Sequence, residues 1–494
     1  MKKIYLIGFV LIAFAMGSCK KDYLETKPSN GVTEAEIFSN LSSIYAAIDG
    51  VEKEQFAYGT GEGTGHDNYG QKSMDLQNDL MGNDMIVYSQ GYGWYNANYR
   101  YTEWGRKETG RQCDNAWFYY YDIIKQANKI INNVDGVANA STADKENIKG
   151  QALGLRAYAY FYLINYEQQT YKGNETKPGV PIYTEDATEG HPRGTVQDVY
   201  DQMISDLTLA ETLLNGKPRL AKTNMDVSVV RGFRARVALL MEDWATAASK
   251  AHSARQGYTL MSGGQYVAQD AFSNIANPEW MWGSLIPAAE ATIYASFFSH
   301  MDISTGGYAY FGGEKLITKD LYDRIDAGDI RKQAWTAPGT GAGANVDYNQ
   351  VKFQVPNPGS WAGDYLYMRA AEMYLIEAEA LARQGQDANA QAVLQELISS
   401  RYPAYDASAF SGNALINEIL LQRRIELWGE GFSLMDIKRL NQGLNRPTGP
   451  GNHGAPYLDP AVYSTSPADP RFLMRIPQRE LDNNVNMTPG DQNP

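Results

Sequence analysis

The chain has 494 residues, 43% of them hydrophobic, enough to bury a large core in one body with long insertions or in two or three domains. A formal net charge of -13, with no basic stripe to offset it, argues against a nucleic-acid backbone as partner. The 34 tyrosines, many in polar, Gly-rich segments, suggest amphipathic rings held at a surface.

The first stretch, MKKIYLIGFVLIAFAMGSC, has a basic start at Lys2 and Lys3, an apolar run over 4–16 and small residues before Cys19. It reads as a lipoprotein signal peptide, 1–18, with Cys19 as the lipid-bearing residue. The apolar run falls short of the roughly 20 residues needed to span a bilayer, and no other segment is apolar enough. Acyl chains on Cys19 would hold the protein on a membrane without a transmembrane helix. Cys113 is then left without an intrachain partner and reads as inert and buried. Polar residues 19–33, with Pro28 and Gly31, read as a tether, and the folded body is expected over 34–494 as a single domain.

Ile37, Leu41, Ile44 and Ile48 predict an amphipathic helix closed by Gly50. From about 56 to 112 the sequence is Gly-, Asn- and Tyr-rich without sustained periodicity, which predicts an ordered loop insertion with a binding surface. AWFYYYDIIKQANKIINNV and ENIKGQALGLRAYAYFYLINYEQ predict a helical hairpin. KPGVPIYTED follows as an extended excursion, and Thr195 with Asp198 predicts a capped helix start.

GFRARVALLMEDWATAASKAHSARQG, with Ala235, Ala247 and Ala251, and the stretch 365–401, with Ala378, Leu381, Gly385, Ala390 and Leu394, share a spacing of small and apolar residues. That spacing is the one found in tetratricopeptide-like hairpins. Each pair needs neighbours to cover its apolar face, so the hairpins are expected to stack. A second aperiodic insertion, about 257–364, holds NPEWMWGS, GGYAYFGG and APGTGAGANVDYNQVKF, the last ending in a possible short strand. The fold class predicted is all-α: stacked helical hairpins with long loop insertions carrying a few short strands.

Several motifs in series then resemble one family. They are Cys19 followed by KKDYLETKP, WFYYYDIIKQANKII, LRAYAYFYLINYE leading into GVPIYTE, YMRAAEMYLIEAEAL, RRIELWGEGFSLMDIKRL and MRIPQRELDNNVNM. Together they span nearly the whole chain and resemble the SusD/RagB family of surface lipoproteins of Bacteroidota-type outer membranes. The resemblance implies an outer-membrane, lipid-anchored protein facing the cell exterior, partnered with a SusC-like TonB-dependent outer-membrane transporter to which it delivers oligosaccharide. Peptide cargo is the alternative it leaves open. Departures are Gln422, where the family usually has Glu before the paired Arg423 and Arg424, Ser433 in place of a basic residue, and the closing NMTPGDQNP.

Chemistry has thinner support. Glu372, Glu377 and Glu379 are the most concentrated carboxylates, the pair a surface glycoside hydrolase would need, but basic partners at Arg369, Arg423 and Arg424 make helix anchoring the better reading. No His stands at metal-ligand spacing, and Asp75, Asp79, Asn83 and Asp84 lack the spacing of an EF-hand, so neither metal nor cofactor is expected. Trp117, Trp244 and Trp428 lie in helical patterns and read as core, whereas Trp94, Trp104, Trp280, Trp282, Trp335 and Trp361 lie in aperiodic segments. Flat rings on loops suit sugar faces, with amides to bond hydroxyls. Composition therefore nominates Trp94, Tyr95, Asn98, Trp280, Trp282 and Tyr308 as ligand-binding residues.

Overall fold

The computed structural model describes residues 34–60, 63–89, 91–187, 189–454 and 462–494; the expected leader, the tether and Cys19 lie outside them, as does the Trp104 side chain. Helix α1 (Leu41–Glu54) begins at Asn40, whose side chain accepts from Ser43 N, and runs through Gly50 rather than stopping there. The apolar face continues beyond that glycine to Val51, as fully buried as Ile44 and Ile48, so tertiary packing outweighs the local breaker.

The first insertion contains a helix the sequence did not announce. Every residue of α2 (Gln71–Leu80, QKSMDLQNDL) is buried, the polar ones included. Partners elsewhere in the fold hold two of them: Asp79 accepts from the backbone N–H groups of Gly431 at 2.8 Å and Ser433 at 3.1 Å, and Gln71, which also donates to Asp75, accepts from the Tyr120 and Tyr158 hydroxyls. Gly70, at φ +74°, opens this helix where a Cβ would sit 2.2 Å from the Gln55 carbonyl oxygen. A short strand, β1 (Met85–Val87), follows.

Next comes the expected hairpin of α3 (Arg111–Asn133) and α4 (Thr142–Glu167), with the Tyr119 and Tyr158 hydroxyls 3.0 Å apart and Tyr120 stacked on Tyr162. The Pro-rich excursion forms β2 (Pro178–Pro181) antiparallel to β3 (Arg193–Thr195), and α5 (Val196–Leu214) starts in the predicted capping box of Thr195 and Asp198. Helices α6 (Val227–Met241) and α7 (Trp244–Ala254) form the next hairpin.

The second insertion carries β4 (Trp280–Ser284) and β5 (Lys315–Ile317), the latter antiparallel to β1. The expected strand near 345–353 appears only as isolated bridges at Asn345, Asn349 and Gln350. The stretch expected to be helical from 365 opens instead as β6 (Tyr365–Arg369), paired with β4, before α8 (Ala370–Arg383) and α9 (Asp387–Ser399) turn at Gly385. Helices α10 (Gly412–Glu426) and α11 (Ser433–Arg439) complete the body.

The architecture is all-α and tetratricopeptide-like: α3, α4, α5, α6, α7, α8 and α9 pack each on the next, and α10 packs on α8. The small residues that announced the hairpins, Ala235, Ala247, Ala251, Ala378 and Ala390, are all fully buried at the crossings. Gly232 lets α6 approach β6, since a Cβ there would lie 2.3 Å from the Met368 sulfur.

A buried ionic lattice ties the last helices to the second insertion. Arg369 donates to Glu279 and Glu426 at 2.7 Å and bidentately to Glu430 at 2.8 Å; Arg401 bonds Glu279 and Glu426, Arg331 bonds Glu426 and Asp329, and Lys352 bonds Glu430. Arg331, Arg369, Arg401 and Lys352 thus face Glu279, Asp329, Glu426 and Glu430, equal charges of each sign. Gln422 accepts from Arg331 at 2.5 Å, so the neutral residue at this departing position keeps the balance that a fifth carboxylate would upset. Burial alone would raise the Glu426 carboxyl, but Arg401, Arg369 and Arg331 hold it well below the usual range.

Candidate functional site

Strands β1 and β5 carry the first half of the site. Their ladder continues past the named strands, with Tyr88 N donating to Glu314 O at 3.0 Å and Ser89 N to Gly312 O at 3.1 Å, so the loops beyond each strand end side by side. Gly91 and Gly93, both at positive φ, turn the first loop back, and Tyr92 stands at its tip, 70% exposed. The facing loop supplies Tyr308, Tyr310 and Phe311; Tyr92 meets Tyr308 at 5.2 Å and Phe311 at 6.3 Å, both edge-on.

His66 is the hub. Its Nδ1 lies 2.6 Å from the Tyr308 hydroxyl, its ring stacks on Trp94 at 5.3 Å and lies parallel to Tyr294 at 6.2 Å, and Tyr58 meets it edge-on. From beneath, the buried His300 donates from Nε2 to the His66 carbonyl at 2.8 Å and stacks on Tyr308 at 5.0 Å. Burial, with the Lys315 ammonium nearby, pushes the His300 imidazole down to about 3, so it is a neutral structural donor at ordinary pH. Burial likewise raises the Tyr308 phenol, with the Trp94 indole N–H opposing.

Trp94 is held in place by the Arg111 guanidinium, 5.1 Å from its ring centre and itself fixed bidentately on Asp67 at 3.0 and 2.7 Å. On the far side Trp361, in a left-handed conformation at φ +57°, meets Tyr294 at 5.5 Å; a bulky residue in this region is strained, and such strain collects at binding surfaces. The dent beside Trp361 measures only about 10 Å³. Tyr58, Tyr92, Tyr294, Tyr310 and Phe311 are the rings that reach solvent, at 40–70% exposure.

Of the six nominated residues, the structure brings Trp94 and Tyr308 to this face, both half-buried in the cluster. Trp280 and Trp282 are fully buried and correct the expectation: their N–H groups donate to the Ala271 and Thr223 carbonyls, and Trp282 is edge-on to Tyr158, Phe233 and Tyr367. Both sit on a strand covered on its two faces, so alternation exposes neither. Tyr95, whose hydroxyl bonds Tyr69 at 2.7 Å, and Asn98 are each 2% exposed and lie under the face rather than on it. Trp335 is core against Trp428. Sequence reasoning missed His66, Tyr92 and Tyr294; the signal available for two of them was an aromatic next to residues of little helical or strand pattern, at GYGWY and TIYASFF.

The three glutamates of α8 are ion-paired, though not with the arginines expected. Glu372 holds Arg236 bidentately at 2.7 Å, Glu377 pairs with Arg255 and His252, and Glu379 with Arg439 and Arg383. Arg369 belongs to the buried lattice, Arg423 to Asp436 and Arg424 to Asp84. Asp75 lies beside Lys72, and no group of His, Cys, Asp and Glu among the described residues is arranged to hold a metal. Cys113 is buried, and desolvation pushes its thiol up to about 12, as an inert core cysteine requires. No helix among the described residues is long and apolar enough to cross a membrane.

A family model described as "Starch-binding associating with outer membrane" matches residues 22–239, and the SusD family model matches residues 329–494. The chain is 21% identical to SusD-like protein P38 of Formosa agariphila over 90% of this chain and 92% of that one. Among solved structures it resembles a SusD-like carbohydrate binding protein from Bacteroides vulgatus, with 28% identity, a TM-score of 0.79 and coverage of 92% of this chain and 98% of that one. It also shares its fold with surface glycan-binding protein A from Bacteroides thetaiotaomicron, solved in complex with laminarihexaose, at 16% identity and a TM-score of 0.68 over 92% of this chain and 99% of that one.

Proposed function

The chain belongs to the SusD family, whose two models between them match most of its length, and from that premise we propose that it captures glycans at the cell surface without acting on them. The observation that carries the reading is the solvent-facing ring cluster of Tyr92, Tyr294, Phe311 and the half-buried Trp94, fixed from behind by His66 and Arg111. A flat ring covers the C–H face of a pyranose, and rings fixed before binding lose little entropy on capture. The resemblance to a carbohydrate binding protein supports the same class of ligand. The carboxylates support capture over hydrolysis: Asp67 at the face is locked to Arg111, and the glutamates of α8 are held in ion pairs.

In this reading Cys19 carries the lipid that keeps the protein on the outer membrane, and the cargo passes to a SusC-like TonB-dependent transporter. The test is calorimetric titration of the chain lacking residues 1–18 with linear oligosaccharides, laminarihexaose among them, beside Tyr92→Ala/Tyr294→Ala. Saturable binding that the double variant loses is the expected result. Binding unaffected by the double variant would overturn the assignment of the face, and release of reducing ends would overturn capture without catalysis.

A further inference from the structure

A second cavity, sharing no lining residue with the aromatic face, opens where the turn between α10 and α11 meets β1 and the segment 442–447. It holds about 510 Å³, within the range of small-molecule sites. Half of its wall is apolar, from Leu420, Leu427, Leu440 and Leu444 together with the half-buried Phe432 ring. The polar half includes Asn83, Ser433 and Asn445 and three arginines, each of the three already carrying an aspartate. Arg424 grips Asp84 bidentately at 2.9 and 2.6 Å, Arg324 pairs with Asp320 at 3.2 Å, and Arg423 donates to Asp436 at 2.7 Å.

Arg423 is the informative member. It is 4% exposed, its guanidinium lies 4.9 Å from the Phe432 ring centre, and its Nη1 finds no acceptor among the described residues. A buried donor without a partner costs free energy that a hydroxyl lodged in the cavity would recover. The charge balance decides the ligand class. An anion would meet Asp79, which is held by the Gly431 and Ser433 N–H groups, and would compete with the three carboxylates already seated on the guanidinium groups, while a cation would meet three arginines. A sugar hydroxyl both donates and accepts, so it satisfies a guanidinium donor and its neighbouring carboxylate together. The pyranose C–H face then lies on Phe432 and the leucines.

We propose that this cavity is a second saccharide site, sized for one or two neutral sugar units and independent of the aromatic face. The test titrates free D-glucose, D-galactose, D-mannose, D-xylose and laminaribiose into Tyr92→Ala/Tyr294→Ala, in which the face is removed. One of these sugars should still bind saturably. Leu420→Trp, which fills the cavity from a half-buried wall position, should abolish that binding, and Arg324→Ala should weaken it about tenfold, as loss of one charge-assisted hydrogen-bonding partner does. Arg324 is half-exposed, so its removal leaves folding intact and keeps the test open if Leu420→Trp does not fold. Absence of binding by all five sugars, or binding that folded Leu420→Trp or Arg324→Ala retains in full, would overturn the proposal. Neither result bears on oligosaccharide capture by the aromatic face, which is read from the difference in laminarihexaose binding between the parent and the double variant.

Discussion

The Nδ1 atom of His66 and the hydroxyl of Tyr308 lie 2.6 Å apart although 242 residues separate them in sequence, and this bond joins the two insertions into one surface. The ring of His66 in turn positions Trp94 and Tyr294.

Replacing His66 by Ala therefore removes the support of the face but little of the core. Oligosaccharide affinity should fall about tenfold, equivalent to ~1.4 kcal/mol, as the rings lose their fixed arrangement. The melting temperature should shift by no more than a few degrees, since each lost ring pair contributes only about 0.5–1.5 kcal/mol. Calorimetry with a parallel thermal melt checks both.

Trp282→Ala should behave in the opposite way. The indole is fully buried against Tyr158, Phe233 and Tyr367, so truncation leaves a cavity and costs about 3–5 kcal/mol of stability. Protein that remains folded should bind oligosaccharide as the parent does. A urea midpoint lowered at unchanged affinity is the expected pair of readings.

In the ionic lattice, Glu426→Gln leaves Arg331, Arg369 and Arg401 sharing one carboxylate fewer at a site with no solvent. Breaking a buried cluster on one side costs about 3–5 kcal/mol, and chemical denaturation should show it. Glu372→Gln should destabilise by the same route through Arg236 and change no turnover, because that carboxylate is a structural anchor.

Stability should also depend on pH through two buried histidines. His453 accepts the Tyr99 hydroxyl proton at Nδ1, 2.8 Å away, and donates from Nε2 to Asn83 O at 2.9 Å; burial, with Arg446 nearby, pushes it down to about 3, like His300. A depressed histidine stays neutral in the folded chain while the unfolded chain takes up a proton below about 6.5. Stability is thus complete above that pH and is lost towards pH 3, with a slope of up to ~1.4 kcal/mol per pH unit for each site. Glu167 works in the reverse sense. Burial raises its carboxyl to about 8, so its contribution is present below the ordinary glutamate range and is lost as pH rises to about 8. Urea midpoints between pH 4 and 9 should show His453→Gln flattening the acid limb and Glu167→Gln the alkaline one.

The helical frame was legible because its signals are local. Small residues at crossing points, the Thr195 cap and the Tyr-rich hairpin all declare themselves within a turn or two of chain. The helix Gln71–Leu80 was not, because its polar residues find partners as distant as Gly431 and Ser433, and in isolation QKSMDLQNDL looks like a solvated loop. The site fared the same way. WMWGS looked like loop tryptophans because the segment pairing it, Tyr365–Arg369, lies far along the chain and carries a helical pattern of its own. Trp94 and Tyr308 could be nominated from composition, but that Tyr294 joins them depends on where a patternless segment ends in space.

The rings that meet solvent come from either side of a long run of helices, Tyr58 and Tyr92 before it, Tyr294, Tyr310 and Phe311 after it. A protease cut within that run, with the pieces then separated, would yield two fragments each bearing half a receptor, and neither would hold cargo. The same division leaves each tip exchangeable by itself: new side chains at Tyr92 or at Tyr310 and Phe311 would redirect recognition while Trp94 and the His66–Tyr308 bond keep the two halves together.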